Sequence, residues 1–329
     1  MLGSAAAAAV NAMPFLPADG LSLGRGALLN AHNCYPEDGR WSDRIDRALA
    51  TGLQPLVIEQ DLVWDPSRAQ SVLAHGAPLS GSEPTLETHF FERVRPIIER
   101  ALTEDRRDRW PVLVLHLDFK TNKPAHHRAV WDLLGRYEAW LTWAPRVQGD
   151  TPQPWRAGPL LVLTEAGPGQ EDAFYGAVPV GGKLRIFGSV PPEPGPSTGD
   201  RDADLRAAAS RSPMSLIPSG STNYRRWTNH AWAVVEEGGQ AHAGAWSAGD
   251  AVRLNRLVSR AHTLGLWIRF YTLNGHDPAA GRGWTASYNF GSLEAVWPRW
   301  DAAIAAGVDF VATDQYEEFA ARLARSSAR

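Results

Sequence analysis

The chain alternates short apolar runs with longer stretches that repeat apolar residues at helical spacing. The runs lie near 27–32, 55–62, 111–119, 159–164, 183–188, 214–217, 266–272 and 309–313. Between several of them, 42–51, 87–102, 125–142, 249–263 and 293–305 read as amphipathic helices. Strands alternating with helices predict parallel βαβ units. Eight such strands in 329 residues predict an α/β protein of the (β/α)8 TIM-barrel class, a fold of about 250 residues plus insertions. The expected organisation is an N-terminal tail over 1–23 and a single barrel domain over 24–329. The Pro-, Gly- and Ser-rich stretch 189–224 breaks the rhythm and predicts a long loop insertion over one barrel edge.

The faces of the predicted strands carry the chemistry. Residues two apart on a strand share a face. In the third run, Val112, Val114, His116, Asp118 and Lys120 lie on one face and Leu113, Leu115, Leu117 and Phe119 on the other. The apolar face suits covering helices. The mixed face, polar only toward its C-terminal end, suits a barrel interior that opens into a site. Run 55–62 has the same gradient, with Val57 below Glu59 and Asp61.

Two carboxylates on one face of an otherwise apolar strand repel each other and resist desolvation unless a positive charge sits between them. Surface acids or acids neutralised by Arg would be the ordinary alternative, but Leu56, Val57, Ile58 and Leu62 argue for burial. Asp118 makes a third oxygen donor. Such a set suits one hard divalent cation, Mg²⁺ or Ca²⁺, better than zinc, with Asn33 able to add a carbonyl oxygen. His32 ends the first apolar run and His75 follows the acidic strand. Imidazoles titrate near neutrality, so one can accept a proton while the other donates one. Cleavage of a phosphodiester needs both roles, here with His32 expected to activate the nucleophile and His75 to protonate the leaving group, or the reverse. Arg269 and Tyr271 share a face of the seventh strand and are placed to meet phosphate and head group. Trp284 is a loop candidate for substrate contact. His116 is expected to hydrogen-bond below the site, and Cys34 lacks a Cys–His–Asn context for nucleophilic use.

Composition narrows the classes. Charged residues make up 21% and the net charge is −3, which gives no general attraction to nucleic acid or anionic membrane. No apolar run approaches the roughly 20 residues of a membrane helix. One cysteine excludes an intrachain disulfide. Lysine occurs only at 120, 123 and 183, which makes Lys120, beside the acids, more noticeable. The start, Met1-Leu2-Gly3-Ser4 and an Ala run to Val10, resembles the end of an export signal but lacks a basic first segment.

The order His32-Asn33, Glu59-x-Asp61, His75-Gly76, Asp118-x-Lys120 resembles the phospholipase C-like phosphodiesterases, which include glycerophosphodiester phosphodiesterases, phosphoinositide phospholipases C and sphingomyelinase D-type enzymes. Phe270-Tyr271-Thr272-Leu273-Asn274 and Ala305-Ala306-Gly307-Val308-Asp309-Phe310-Val311-Ala312-Thr313-Asp314 look like the last two strands of the glycerophosphodiesterase barrel. The resemblance implies one Mg²⁺ or Ca²⁺ on Glu59, Asp61 and Asp118, catalytic His32 and His75, and Lys120 near the phosphate. The chain departs from the glycerophosphodiesterase pattern at His32-Asn33-Cys34 and at Asp118. It is most similar to the branch with His-Asn-x-Tyr and Asp-Phe-Lys-Thr, matched by His32-Asn33-Cys34-Tyr35 and Asp118-Phe119-Lys120-Thr121. The expectation is therefore a metal-dependent phosphoric diester hydrolase acting on a small-molecule or lipid phosphodiester. The alternatives are a glycoside hydrolase barrel using Glu165 as one carboxylate, and a non-catalytic barrel that binds a phosphorylated ligand.

Overall fold

A computed structural model describes residues 23, 24, 26–37, 40–195, 197–240, 242–271, 273–277, 279 and 289–327. Among these, the strands are β1 (Leu28–Ala31), β2 (Leu56–Asp65), β3 (Gln70–Leu73), β4 (Leu113–Phe119), β5 (Ala144–Pro145), β6 (Leu160–Thr164), β7 (Lys183–Leu184), β8 (Gly188–Ser189), β9 (Arg225–Ala231), β10 (Trp267–Tyr271) and β11 (Phe310–Thr313). The helices are α1 (Arg44–Ala50), α2 (Glu92–Glu104), α3 (Pro124–Arg136), α4 (Arg201–Ala208), α5 (Pro213–Leu216), α6 (Ala248–Thr263), α7 (Leu293–Ala306) and α8 (Tyr316–Ser327).

Parallel pairing runs β6-β4-β2-β1-β11-β10-β9-β8. Bonds from Thr164 N to Phe187 O (2.9 Å) and from Phe187 N to Val162 O (3.1 Å) join the two ends. Eight strands thus close into a TIM barrel, with helices outside. Closure removes every exposed sheet edge from the wall.

The layers follow from side-chain alternation. Val57, Val114, Leu161, Trp227, Trp267 and Phe310 pack together as an apolar floor inside the barrel. One step up, Asn30, Glu59, His116 and Arg269 are buried. One step further lie His32, Asp61, Asp118, Glu165 and Asp314. The opposite faces, including Leu29, Ile58, Leu115, Ile268 and Val311, pack in the main core with the helices. Among the described residues, no helix is long and apolar enough to cross a membrane.

The expected strands are corrected at two places. Run 183–188 is split: Lys183–Leu184 pairs with β5 outside the barrel, and Gly188–Ser189 joins the wall. Run 214–217 falls largely in the short helix α5, and the sixth wall strand is Arg225–Ala231. This strand carries no apolar signature because its inward Asn229 belongs to the polar layers, while outward Thr228 and His230 satisfy each other at 2.9 Å. The stretch after β8 is not bare loop, since it holds α4 and α5, capped by Asp200 and Ser212.

A second departure matters for function. β2 extends past the wall and folds back as a hairpin with β3. Ala74 N then donates to Asp61 O at 3.3 Å, which sets His75 beside the end of the acidic strand.

Phe310 is 1% exposed and lies on the barrel floor, far from the hairpin. Phe310→Ala should destabilise the fold by about 3–5 kcal/mol, read as a lower urea midpoint with an unchanged m-value. A loss below about 1 kcal/mol would contradict a packed floor.

Candidate active site

Two adjacent strands, β2 and β4, deliver three carboxylates to one point. Single oxygens of Glu59, Asp61 and Asp118 lie within 4.8 Å of one another. Glu59 and Asp61 are 2% and 1% exposed, so neither is hydrated as a surface acid would be. The register that aligns Asp61 with Asp118 across β2 and β4 accounts for their meeting.

The acids divide into two electrostatic environments. Glu59 sits 2.9 Å from Arg269 Nη2 and 3.5 Å from His116 Nδ1. Burial alone would raise its pKa, but Arg269, with His32, His116 and Lys120, holds it well below the usual carboxylate range. Asp61 goes the other way. Burial and then the Asp118 charge push it well above its ordinary value, against the pull of Lys120. Burial and Glu165 push Asp118 upward too. Lys120 Nζ lies 3.0 Å from Asp61 Oδ2 and 2.6 Å from Asp118 Oδ2. Burial would lower the pKa of this ammonium, but the two acids raise it. One lysine therefore leaves the Asp61–Asp118 pair incompletely neutralised. That residual negative charge, on an all-oxygen donor set, fits a hard divalent cation held by Glu59, Asp61 and Asp118.

His32 is buried and is gripped from the end of the last strand. Its Nδ1 lies 2.9 Å from Asp314 Oδ1, and its Nε2 faces Glu59 Oε2 at 3.7 Å. Burial would raise the Asp314 carboxyl, but His32 and Arg44 hold it below its ordinary value. Ionised, it accepts, which favours a proton on Nδ1, the nitrogen that also lies 2.8 Å from Asn33 Nδ2. Asn274 Nδ2 donates to the other Asp314 oxygen at 3.2 Å. Asn33 takes φ 50°, a left-handed conformation that asparagine tolerates. Its backbone N–H donates to Glu59 at 3.3 Å, and its Oδ1 lies 3.3 Å from Tyr35 Oη, whose hydroxyl donates to Asp61 at 2.7 Å.

His75 stands at the exposed rim after β3. Partial burial, then Lys120 and His32, lower its pKa below 6.5. Arg269, expected to meet phosphate, is 2% exposed and engaged below the acids by Glu59, Asn30 and Asn229. Its guanidinium lies 5.4 Å from the Tyr271 ring, and Tyr271 remains half-buried above it. His116 lies between Glu59 and Glu165, at 3.5 and 3.4 Å, edge-on to Trp227. Glu165 accepts from Asn229 at 2.7 Å. Cys34 is buried, and burial pushes its thiol up to about 12, which removes it as a nucleophile. Trp284 lies outside the described residues.

The residues missed by sequence reasoning are Asp314, Tyr35, Arg44 and Asn229. Asp314 had a usable signal, because it follows Phe310 and Ala312 on the inward face of the last strand. The others become neighbours of the site only through the fold.

No family model matches the chain, and no curated protein matches it. Solved structures similar to it include dihydropteroate synthase from Xanthomonas albilineans (18% identity, 96% of this chain and 98% of that one, TM-score 0.42). Another is a glycerophosphoryl diester phosphodiesterase from Parabacteroides distasonis (13% identity, 94% and 88%, TM-score 0.41). A third is the HPPK-DHPS protein of Plasmodium falciparum (9% identity, 93% and 48%, TM-score 0.47).

A cation bound only by the folded state adds stability by mass action. Saturating Mg²⁺ or Ca²⁺ should raise the melting temperature by a few degrees, roughly 1–3 kcal/mol. Asp61→Asn keeps an oxygen for Tyr35 but removes the repulsion with Asp118. It should melt as high as the parent or higher in EDTA, and should gain nothing from either ion. An equal gain in parent and variant would place the ion elsewhere.

Proposed function

We propose that this protein is a metal-dependent phosphoric diester hydrolase whose active site is the acid cluster flanked by His32 and His75. The single observation that carries the reading is the convergence of Glu59, Asp61 and Asp118 beside a His32–Asp314 pair. The Mg²⁺ or Ca²⁺ held by the three acids, with Asn33 beside them, would offset phosphate charge and lower the pKa of the attacking oxygen.

The remaining roles belong to the chain. Asp314 fixes the His32 ring with Nδ1–H donated, so Nε2 is the atom free to take a proton from water or a substrate hydroxyl. The imidazolium formed is stabilised by the same carboxylate. His75, on the rim, gives a proton to the leaving oxygen. Lys120 faces the phosphate, and Arg269 acts through Glu59, which it keeps ionised and oriented. Tyr271 and Trp284 are the proposed head-group contacts. The substrate class is a glycerophosphodiester or a phospholipid head group.

A second reading rests on one observation. Asp118 and Glu165 line the same small cleft of about 210 Å³, with the first acid pushed up and the second held low by His116 and Arg269 against its burial. A raised and a lowered carboxylate also suit glycoside hydrolysis. Aryl glycosides run beside bis(p-nitrophenyl) phosphate and glycerophosphodiesters separate the two readings.

His32→Ala and His75→Ala should each reduce phosphodiester turnover by about 10²–10⁴-fold, with the melting temperature kept for exposed His75→Ala and lowered for His32→Ala, which leaves the buried Asp314 carboxylate without its partner. EDTA should abolish turnover and Mg²⁺ or Ca²⁺ restore it, and full activity in EDTA would remove the metal from the reaction. The pH profile carries a sign. The acid His75 must be protonated and its pKa lies below 6.5, so kcat/KM should fall as pH rises, with the alkaline limb below 6.5. Bound phosphate favours the imidazolium, so the limb in kcat should lie higher. His75→Gln should erase this limb. An alkaline limb above 7 that survives the substitution assigns the acid to another group.

A further inference from the structure

Outside the barrel wall, between α3 and the segment 168–185 after β6, lies a cavity of about 870 Å³. It is separate from the acid cluster. Its size is that of a site for a whole small molecule. Trp131 forms one wall, and Ala173, Ala177, Val178 and Pro179 form the other.

The charge around it is one-sided. Arg128, Lys183 and Arg185 line the cavity against a single lining acid, Asp172. Lys183 and Arg185 share Glu138 as partner. Arg128 is exposed and has no ion-pair partner among the described residues. The Arg185 guanidinium lies 4.8 Å from the Trp131 ring, and its Nε is buried without a hydrogen-bond partner. An apolar trough with a cationic rim recognises an apolar body that ends in an anion.

From this geometry we propose that the cavity binds a single-chain anionic amphiphile, with its alkyl or acyl chain between Trp131 and Ala173–Ala177 and its phosphate or carboxylate at Arg128 and Arg185. The inference stands apart from the reaction proposed for the barrel mouth. The two places nevertheless share a wall. Asn122, which lines the cavity, accepts from Gln170 Nε2 at 2.8 Å and donates to Phe119 O at 3.2 Å, next to Asp118. Gln170 in turn accepts from Thr164 Oγ1 at 2.8 Å, next to Glu165.

Titration calorimetry of the full chain with dodecyl phosphate, kept below its micelle concentration, tests the proposal. Dodecyltrimethylammonium and inorganic phosphate serve as controls. One saturable site is expected for dodecyl phosphate, with both controls weaker by roughly tenfold or more. Ala177→Trp fills the trough and should weaken binding by about tenfold. Arg128→Glu reverses a solvent-exposed charge without touching the core and should weaken it by roughly threefold to tenfold. If Ala177→Trp does not fold by circular dichroism, Arg128→Glu decides. No saturable binding, equal binding of the cationic amphiphile or of phosphate alone, or unchanged affinity in a folded Arg128→Glu protein would each overturn the assignment.

Discussion

The rest of the site depends on burying Glu59 and Asp61, with Asp118 half-buried beside them, at the end of a closed apolar cylinder. Isolated ions there would face a desolvation penalty of several kcal/mol each. The fold meets this from two directions. Arg269 rises from below to Glu59, and Lys120, just past the end of β4, bridges Asp61 and Asp118. Two cations against three acids leave a net negative centre, which is the electrostatic basis for reading it as a cation and phosphate site. Arg269 is itself held by Asn30 and Asn229, so the polar layer above the floor is one connected support rather than scattered buried groups.

Barrel geometry turns this local balance into placement. Alternation along each strand puts apolar residues at the floor, supporting polar residues one step up and candidate reactive groups at the mouth. The His32–Asp314 pair joins the first and last wall strands, so barrel closure positions the ring that sequence order would leave 282 residues from its partner. The β2–β3 hairpin brings the second histidine back over the mouth. The wall strands carry the acids and His32 just past β1, and the segment after β3 carries His75. In the proposed reaction that division suits a fixed base and an acid that meets varied leaving groups.

The cavity beside α3 is built on a different balance, an apolar trough edged by cations. Asn122 on its wall accepts a hydrogen bond from Gln170, which lines the cleft at Asp118 and Glu165. The loops after β4 and β6 therefore meet through this hydrogen bond, one lining the cavity and the other the cleft.

Much of this was legible beforehand. Periodicity located six of the eight wall strands and most helices, because covered strands must be apolar on the helix-facing side and helices must repeat every three to four residues. The i, i+2 rule put Glu59 with Asp61 and His116 with Asp118, and the β2–β4 register then brings the acids together. Arg225–Ala231 was not legible, since its buried polar residues are satisfied partly within the strand, Thr228 with His230, and partly by Glu165 and Arg269 at Asn229. The β3 hairpin was hidden because its turn lies inside a stretch that reads as strand and loop alike. By itself the sequence determined which side chains share a strand face and how polarity grades along it, since both are local consequences of backbone geometry. Only the tertiary structure decided that Asp314 grips His32, that Arg269 belongs to Glu59, and that Lys120 sits between two acids. Such pairings depend on which strand ends a closed barrel brings together, and no local spacing encodes that.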